Sequence, residues 1–192
     1  RVLNASERKQ PMTSYVFQNK ADLVNHLFAK LEKPSSSKIQ KTLYLLFAFY
    51  GATYGRLKAD PSNELETVNY PTYLFEPNFE AWRYGPVDPE VQAAMNKQAY
   101  EPFVSDIPNI IHEGLELEDK AFANVLDPSE VRNIRLFIDN IIEQTDNTDD
   151  FTLIGRVCED DTWTSVAKGD GNCNDKIISP QSIVDEYIAK YV

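Results

Sequence analysis

Residue types able to do chemistry are sparse in this chain, which holds two histidines and two cysteines among 192 residues. His112 stands beside Glu113, a pairing suited to general acid–base work, but that work also needs a convergent pocket. Pro102, Pro108 and Gly114 break up the surrounding segment, so a loop histidine with a structural or incidental role is expected there. His26 has no second ligand at the i+4 spacing of a helical metal site and reads as a partly exposed helix residue. Cys158 and Cys173 form no CxxC pair and have no second histidine nearby, which argues against structural zinc. With apolar neighbours at helical spacing and no cation placed to make a thiolate, Cys158 reads as a buried, inert thiol. Asp170, Asn172 and Asn174 alternate like the first half of a calcium loop, yet Asp175 stands where glycine is required and Gln181 where glutamate is. A polar exposed turn explains them better. Asp160-Asp161 would act as acid and base only if their surroundings separated their pKa values. No Walker A loop, GxGxxG or GxSxG is present. The residues therefore imply no catalytic group, metal or cofactor, and a hydrolase with an unrecognised site is the outlying alternative.

The elements that would position these residues are mostly helices. Val16, Leu23, Val24, Leu27, Phe28 and Leu31 recur at helical spacing from Tyr15 to about Glu32. After Pro34-Ser35-Ser36-Ser37, where a serine can cap, a helix from Lys38 to about Tyr54 is apolar nearly all round and is expected to be the buried central post. Gly51 and Gly55 suit close approach and a stop at its end. Arg56 to Tyr73 reads as a surface connection, and residues 99 to 126 as irregular structure with at most a short strand. Asp127-Pro128-Ser129-Glu130 is a capping box opening a helix to about Gln144 with Val131, Ile134, Ile138, Ile141 and Ile142 on one side. Thr148 is expected to cap a helix with Phe151, Leu153, Ile154, Val157 and Cys158 on its apolar side. Trp163 begins a short helical piece that fails at Gly169-Asp170-Gly171. Ser179-Pro180 starts the closing helix, with Ile183, Val184, Tyr187, Ile188 and Tyr191 on its apolar side.

Residues 74 to 91 carry the strongest local signal. Phe79, Ala81 and Arg83 alternate with Glu80, Trp82 and Tyr84, a short extended segment that Gly85-Pro86 is expected to stop. Asp88-Pro89-Glu90 then opens a helix to about Gln98: the carboxylate accepts from first-turn N–H groups, proline costs nothing at the first helical position, and an acid suits the dipole. The corner Trp82-Arg83-Tyr84-Gly85-Pro86-Val87, with Pro89 behind it, would thus lock a strand to a helix. Lacking nucleophile, histidine and cysteine, it suits shaping and contact better than catalysis. Trp82, Tyr84 and Trp163 are the candidates for partner contact, although tryptophans in such places commonly serve the core.

Composition sets the class. With 42% hydrophobic and 11% aromatic residues the chain should fold, as one domain spanning residues 12–192 behind a flexible or appended stretch, 1–11. Residues 1–60 carry ten Lys+Arg against four acids, net +6, and the other 132 residues nine against 26, net −17. That acidic body repels a phosphate backbone, which argues against nucleic-acid binding, while a basic protein partner is compatible with it. Two unmatched cysteines suggest a reducing, cytoplasmic setting. No signal peptide is visible, and the longest apolar run, Leu43 to Ala52, is roughly half of what a membrane span needs.

The stretch Glu80-Ala81-Trp82-Arg83-Tyr84-Gly85-Pro86-Val87, with Pro89 behind it, closely resembles the signature of the Panacea (SocA-like) domain. Lys38-Ile39-Gln40-Lys41-Thr42-Leu43-Tyr44 looks like that family's K-x-x-K-L-L-Y helix start, and Trp163 followed by Ile177 to Tyr191 resembles its closing W…I…I…Y pattern. The resemblance implies a mainly α (α+β) fold: a compact bundle of about six helices around a buried central helix, with a small antiparallel β element before the corner. It also implies an antitoxin, bacterial or prophage-encoded, that neutralises a toxin from the adjacent gene by direct binding. Some relatives resemble adaptors that deliver a bound toxin to a protease, and a prophage interaction or host-takeover protein without a toxin is the other alternative. The chain departs from the plainest pattern in its Lys58 to Tyr73 connection and its Asp170 to Asp175 insertion, where recognition of the particular partner would lie.

Overall fold

Helix α2, Ser36–Tyr50, is the post of the fold, with twelve of its fifteen residues buried. The structure, a computed structural model, describes residues 15–57, 70–96, 117–167 and 176–192. Around α2 pack α1 (Lys20–Lys30), α3 (Pro89–Asn96), α4 (Pro128–Asp146), α5 (Asp150–Cys158) and α7 (Pro180–Tyr191), and α6 (Asp161–Ala167) bridges α5 and α7. With seven α-helices and a two-stranded antiparallel sheet among the described residues, the architecture is mainly α with a small β element, as expected. None of these helices is long and apolar enough to cross a membrane.

Caps set most of the boundaries. The Ser35 hydroxyl accepts the Lys38 N–H of α2, and the Asp127–Glu130 capping box opens α4. Ser179 caps α7. Two starts differ from expectation. Helix α1 begins at Lys20, capped by Asn19, because the backbone of Tyr15 to Phe17 is used elsewhere: the Val16 and Phe17 N–H groups donate to the carbonyls of Tyr73 (3.1 Å) and Leu74 (2.9 Å). Tertiary pairing there overrides a helical pattern. Helix α5 is capped by Asp149, whose carboxylate accepts the Thr152 N–H at 2.9 Å, while the Thr148 hydroxyl donates back to Gln144. Phe151 is 86% exposed in its first turn, and Leu153 and Val157, one turn apart, form the buried side.

Helix α2 does not stop at Gly51 but passes into a π turn, Gly51–Gly55. Both glycines mark close approaches: a Cβ at Gly51 would lie 2.4 Å from the Val184 side chain, and one at Gly55 only 2.0 Å from the Thr72 carbonyl oxygen.

The corner also differs in detail. Gly85-Pro86 does not end the β element but begins its return: β1 (Glu80–Trp82) turns at Arg83-Tyr84 and pairs with β2 (Gly85–Val87), with Trp82 opposite Gly85 and Ala81 opposite Pro86. Gly85 has φ 104°, the left-handed position that glycine takes after a hairpin turn. Pro86 sits in a strand without cost because its partner Ala81 turns its N–H the other way, to the Lys176 carbonyl at 2.8 Å. The Ile178 N–H likewise donates to Phe79, so residues 176–178 flank β1 on the side away from β2. His112, Glu113, Cys173 and the turn from Asp170 to Asp175 lie outside the described residues.

Candidate functional site

The inner side of the corner is held by polar side chains that the core helices bury. Gln40 pairs both ways with the Asp88 backbone: its amide donates to the Asp88 carbonyl (3.0 Å) and its oxygen accepts the Asp88 N–H (2.9 Å). Lys41, 2% exposed, donates to the Pro86 carbonyl at 3.1 Å. The Asp88 carboxylate caps α3 through the Glu90 and Val91 N–H groups and takes Lys20 at 2.7 Å; Lys20 also reaches Glu90 at 2.9 Å. From the other side, the Trp163 indole donates to the Trp82 carbonyl at 3.0 Å. Net contributions of about 0.5–1.5 kcal/mol per neutral hydrogen bond, and more for charged ones, make this a firmly determined bend.

Burial shapes the titrating groups here. It lowers Lys41 to about 8. It raises the Asp88 carboxyl, against which Lys20 pulls without cancelling it. Burial works to lower Lys20 too, but Asp88 and Glu90 together leave its pKa raised. Cys158 corrects the sequence reading: it is half-buried rather than buried, and Lys41 is a cationic neighbour that acts on it electrostatically. Burial still pushes the thiol up, the direction of an unreactive cysteine. His26 is corrected as well. It is buried, 6% exposed, with Nε2 3.7 Å from an Asp139 carboxylate oxygen, beside a small cavity lined by Leu117, Arg135 and Ile138.

The motif residues divide between the two sides of the bend. Gly85, Pro86 and Val87 are buried and Pro89 is partly so; these shape the corner. Trp82 and Trp163 are half-buried, with the Trp82 indole donating to Glu80 at 2.7 Å. Arg83 and Tyr84 face solvent at the turn, Tyr84 62% exposed with the Arg83 guanidinium 5.4 Å from its ring centre. Ile177, 68% exposed, stands opposite Glu80 and therefore on the same face of the sheet as Glu80 and Trp82.

A second polar centre was not legible from the chain. The adjacent acids Asp160 and Asp161 do fall into different surroundings: Asp161 is exposed and Asp160 fully buried. One Asp160 oxygen accepts from the hydroxyls of Tyr44 (3.0 Å) and Tyr187 (2.8 Å), and the other faces Arg156 (3.2 Å) and Lys190 (3.6 Å). Arg156 in turn lies over the rings of Tyr187 and Tyr191. Burial, with the neighbouring Asp160 charge adding to it, raises the Tyr44 and Tyr187 hydroxyls far above the usual phenol range. These groups answer one another's hydrogen bonds and charges. The available signal was two tyrosines on apolar helix faces, each with a hydroxyl in need of a partner.

Lys38 closes a further contact, donating to the carbonyls of Thr145 (3.0 Å) and Thr148 at the end of α4, where a cation suits the dipole. Both lysines of the K-x-x-K segment thus tie a neighbouring element to α2. Comparison with protein-family models, with curated proteins and with solved structures found no match to the chain.

Proposed function

We propose that this protein is a noncatalytic binding protein, an antitoxin that neutralises a toxin encoded by the adjacent gene by masking its working surface. The observation that carries the reading is the corner's asymmetry. Lys20, Gln40, Lys41 and Trp163 hold its inner side, while Arg83 and Tyr84 stand in solvent with Trp82 half-exposed behind them. A surface held this firmly meets a partner with little further loss of entropy. The net charge of −17 over residues 61–192 supports a partner that is basic overall and steered to it electrostatically. The likeness of residues 80–89 to the Panacea signature supports the toxin–antitoxin setting. The two cysteines in 192 residues support a cytoplasmic one.

Coexpression tests this directly. Growth arrested by the adjacent gene's product should be restored by this protein, with a stable complex of the two and no small molecule consumed. Rescue without a complex, or a complex that persists while a Cys158→Ser or Asp161→Asn variant abolishes rescue, would point to enzymatic neutralisation instead. A product that neither arrests growth nor binds would overturn the antitoxin reading.

A further inference from the structure

The hairpin tip has a chemistry specific enough to name what it takes. Arg83 is exposed and has no carboxylate partner among the described residues. The exposed Tyr84 ring lies under its guanidinium, 5.4 Å away, and Trp82 ends the strand before it. Tryptophan, tyrosine and arginine are the three residue types that dominate binding hot spots, and here they are consecutive at one turn. The turn is also held from behind: the Lys41 bond to Pro86, the Gln40 pairing with Asp88 and the Trp163 bond to Trp82 fix both arms of the hairpin.

We propose that the Trp82-Arg83-Tyr84 tip is the docking surface for a protein segment that presents an aspartate or glutamate beside a large apolar residue. The guanidinium takes the carboxylate through paired N–H donors, a geometry lysine cannot reproduce. The apolar neighbour covers Tyr84 and excludes water from that ion pair. This rests on the reading of the protein as a binding module and adds the surface and the partner's local chemistry. It is compatible with a partner that is basic overall, because the acidic body acts at long range and the tip at contact.

Selection of displayed random peptides on the full chain tests the tip without the toxin. Enriched peptides should share an acidic residue next to a large apolar one, and synthetic versions should lose at least tenfold in affinity for Arg83→Ala, Arg83→Lys and Tyr84→Ala. Affinity for Phe151→Ala and Leu136→Ala, exposed apolar positions on α5 and α4, should be unchanged. Matching thermal midpoints would show that every variant folds. Failure to enrich such peptides, peptides without the acid, or equal binding to all variants would overturn the proposal. So would Arg83-dependent binding of a single-stranded oligonucleotide, which would assign the same three residues to nucleic acid. If the adjacent gene's product fails to bind while acidic–apolar peptides bind through Arg83, the antitoxin reading falls and the docking surface stands.

Discussion

Two buried polar centres lie one turn apart along α2, and they differ in what lies beyond them. At Tyr44 the helix meets Asp160, whose oxygens are shared among two tyrosine hydroxyls, Arg156 and Lys190 from α5 and α7. At Gln40 and Lys41 it meets the backbone of the corner, and on the far side of that corner stand Arg83 and Tyr84 in solvent. The first centre is closed, with donors and acceptors answering each other. The second is half of a device, in which core side chains hold a bend whose other face is open. Buried polar networks of both kinds specify geometry, and the second specifies it for a turn whose Arg83 and Tyr84 side chains remain exposed.

That contrast can be broken most severely at the closed centre. Asp160→Ala leaves a guanidinium and two tyrosine hydroxyls without their buried acceptor, and should cost about 3–5 kcal/mol in urea unfolding; a loss below about 1 kcal/mol would show that the centre contributes little. At the open centre, Gly85→Ala forces a φ of 104° on a residue with a Cβ, 2.8 Å from Val157. It should cost about 1–3 kcal/mol and alter the fluorescence of Trp82 and Trp163, since the hairpin must shift.

Lys41→Met sharpens the comparison through pH. Because the folded pKa of Lys41 is lowered to about 8 while an unfolded lysine titrates near 10.5, its buried charge costs the folded state fully below pH 8, and the cost is relieved as pH rises to 10.5. The stability of wild type relative to Lys41→Met should therefore rise by on the order of 3 kcal/mol across that window. The closed centre has the opposite sign. Tyr44 and Tyr187, raised well above an unfolded tyrosine near 10, contribute stability that is whole below pH 10 and lost above it, in wild type and variant alike. A wild-type to variant difference that is flat with pH would mean that Lys41 finds water in the folded state. The smallest effect on stability is expected at Tyr84→Ala, within about 0.5 kcal/mol, because the residue is 62% exposed. A larger loss would mean that the tip belongs to the core rather than to a partner.

Much of the helical framework was readable because its signals are local. Capping boxes, proline at the first helical position and 3.6-residue spacing act within a few residues, so α4 and α7 start where Asp127-Pro128 and Ser179-Pro180 say they should. The all-round apolar α2 could only be the central post. The misreadings share one cause. Tyr15 to Phe17 reads as helix yet pairs with the backbone at Tyr73 and Leu74, and Gly85-Pro86 reads as a stop yet forms a strand because Ala81 turns its N–H toward Lys176. Lys41 beside Cys158 was invisible for the same reason, the two being far apart in the chain.

What the sequence by itself determined is the set of helices, their apolar faces and the presence of a tight bend after Trp82, because hydrogen bonds and side-chain sterics within a turn or two settle these. Which polar groups are buried, and which of Trp82, Arg83 and Tyr84 face outward, only the tertiary structure decided. A lysine such as Lys41 or an acid such as Asp160 enters the core only when a distant acceptor or donor is there to replace water, and that partner is set by packing rather than by neighbours in the chain.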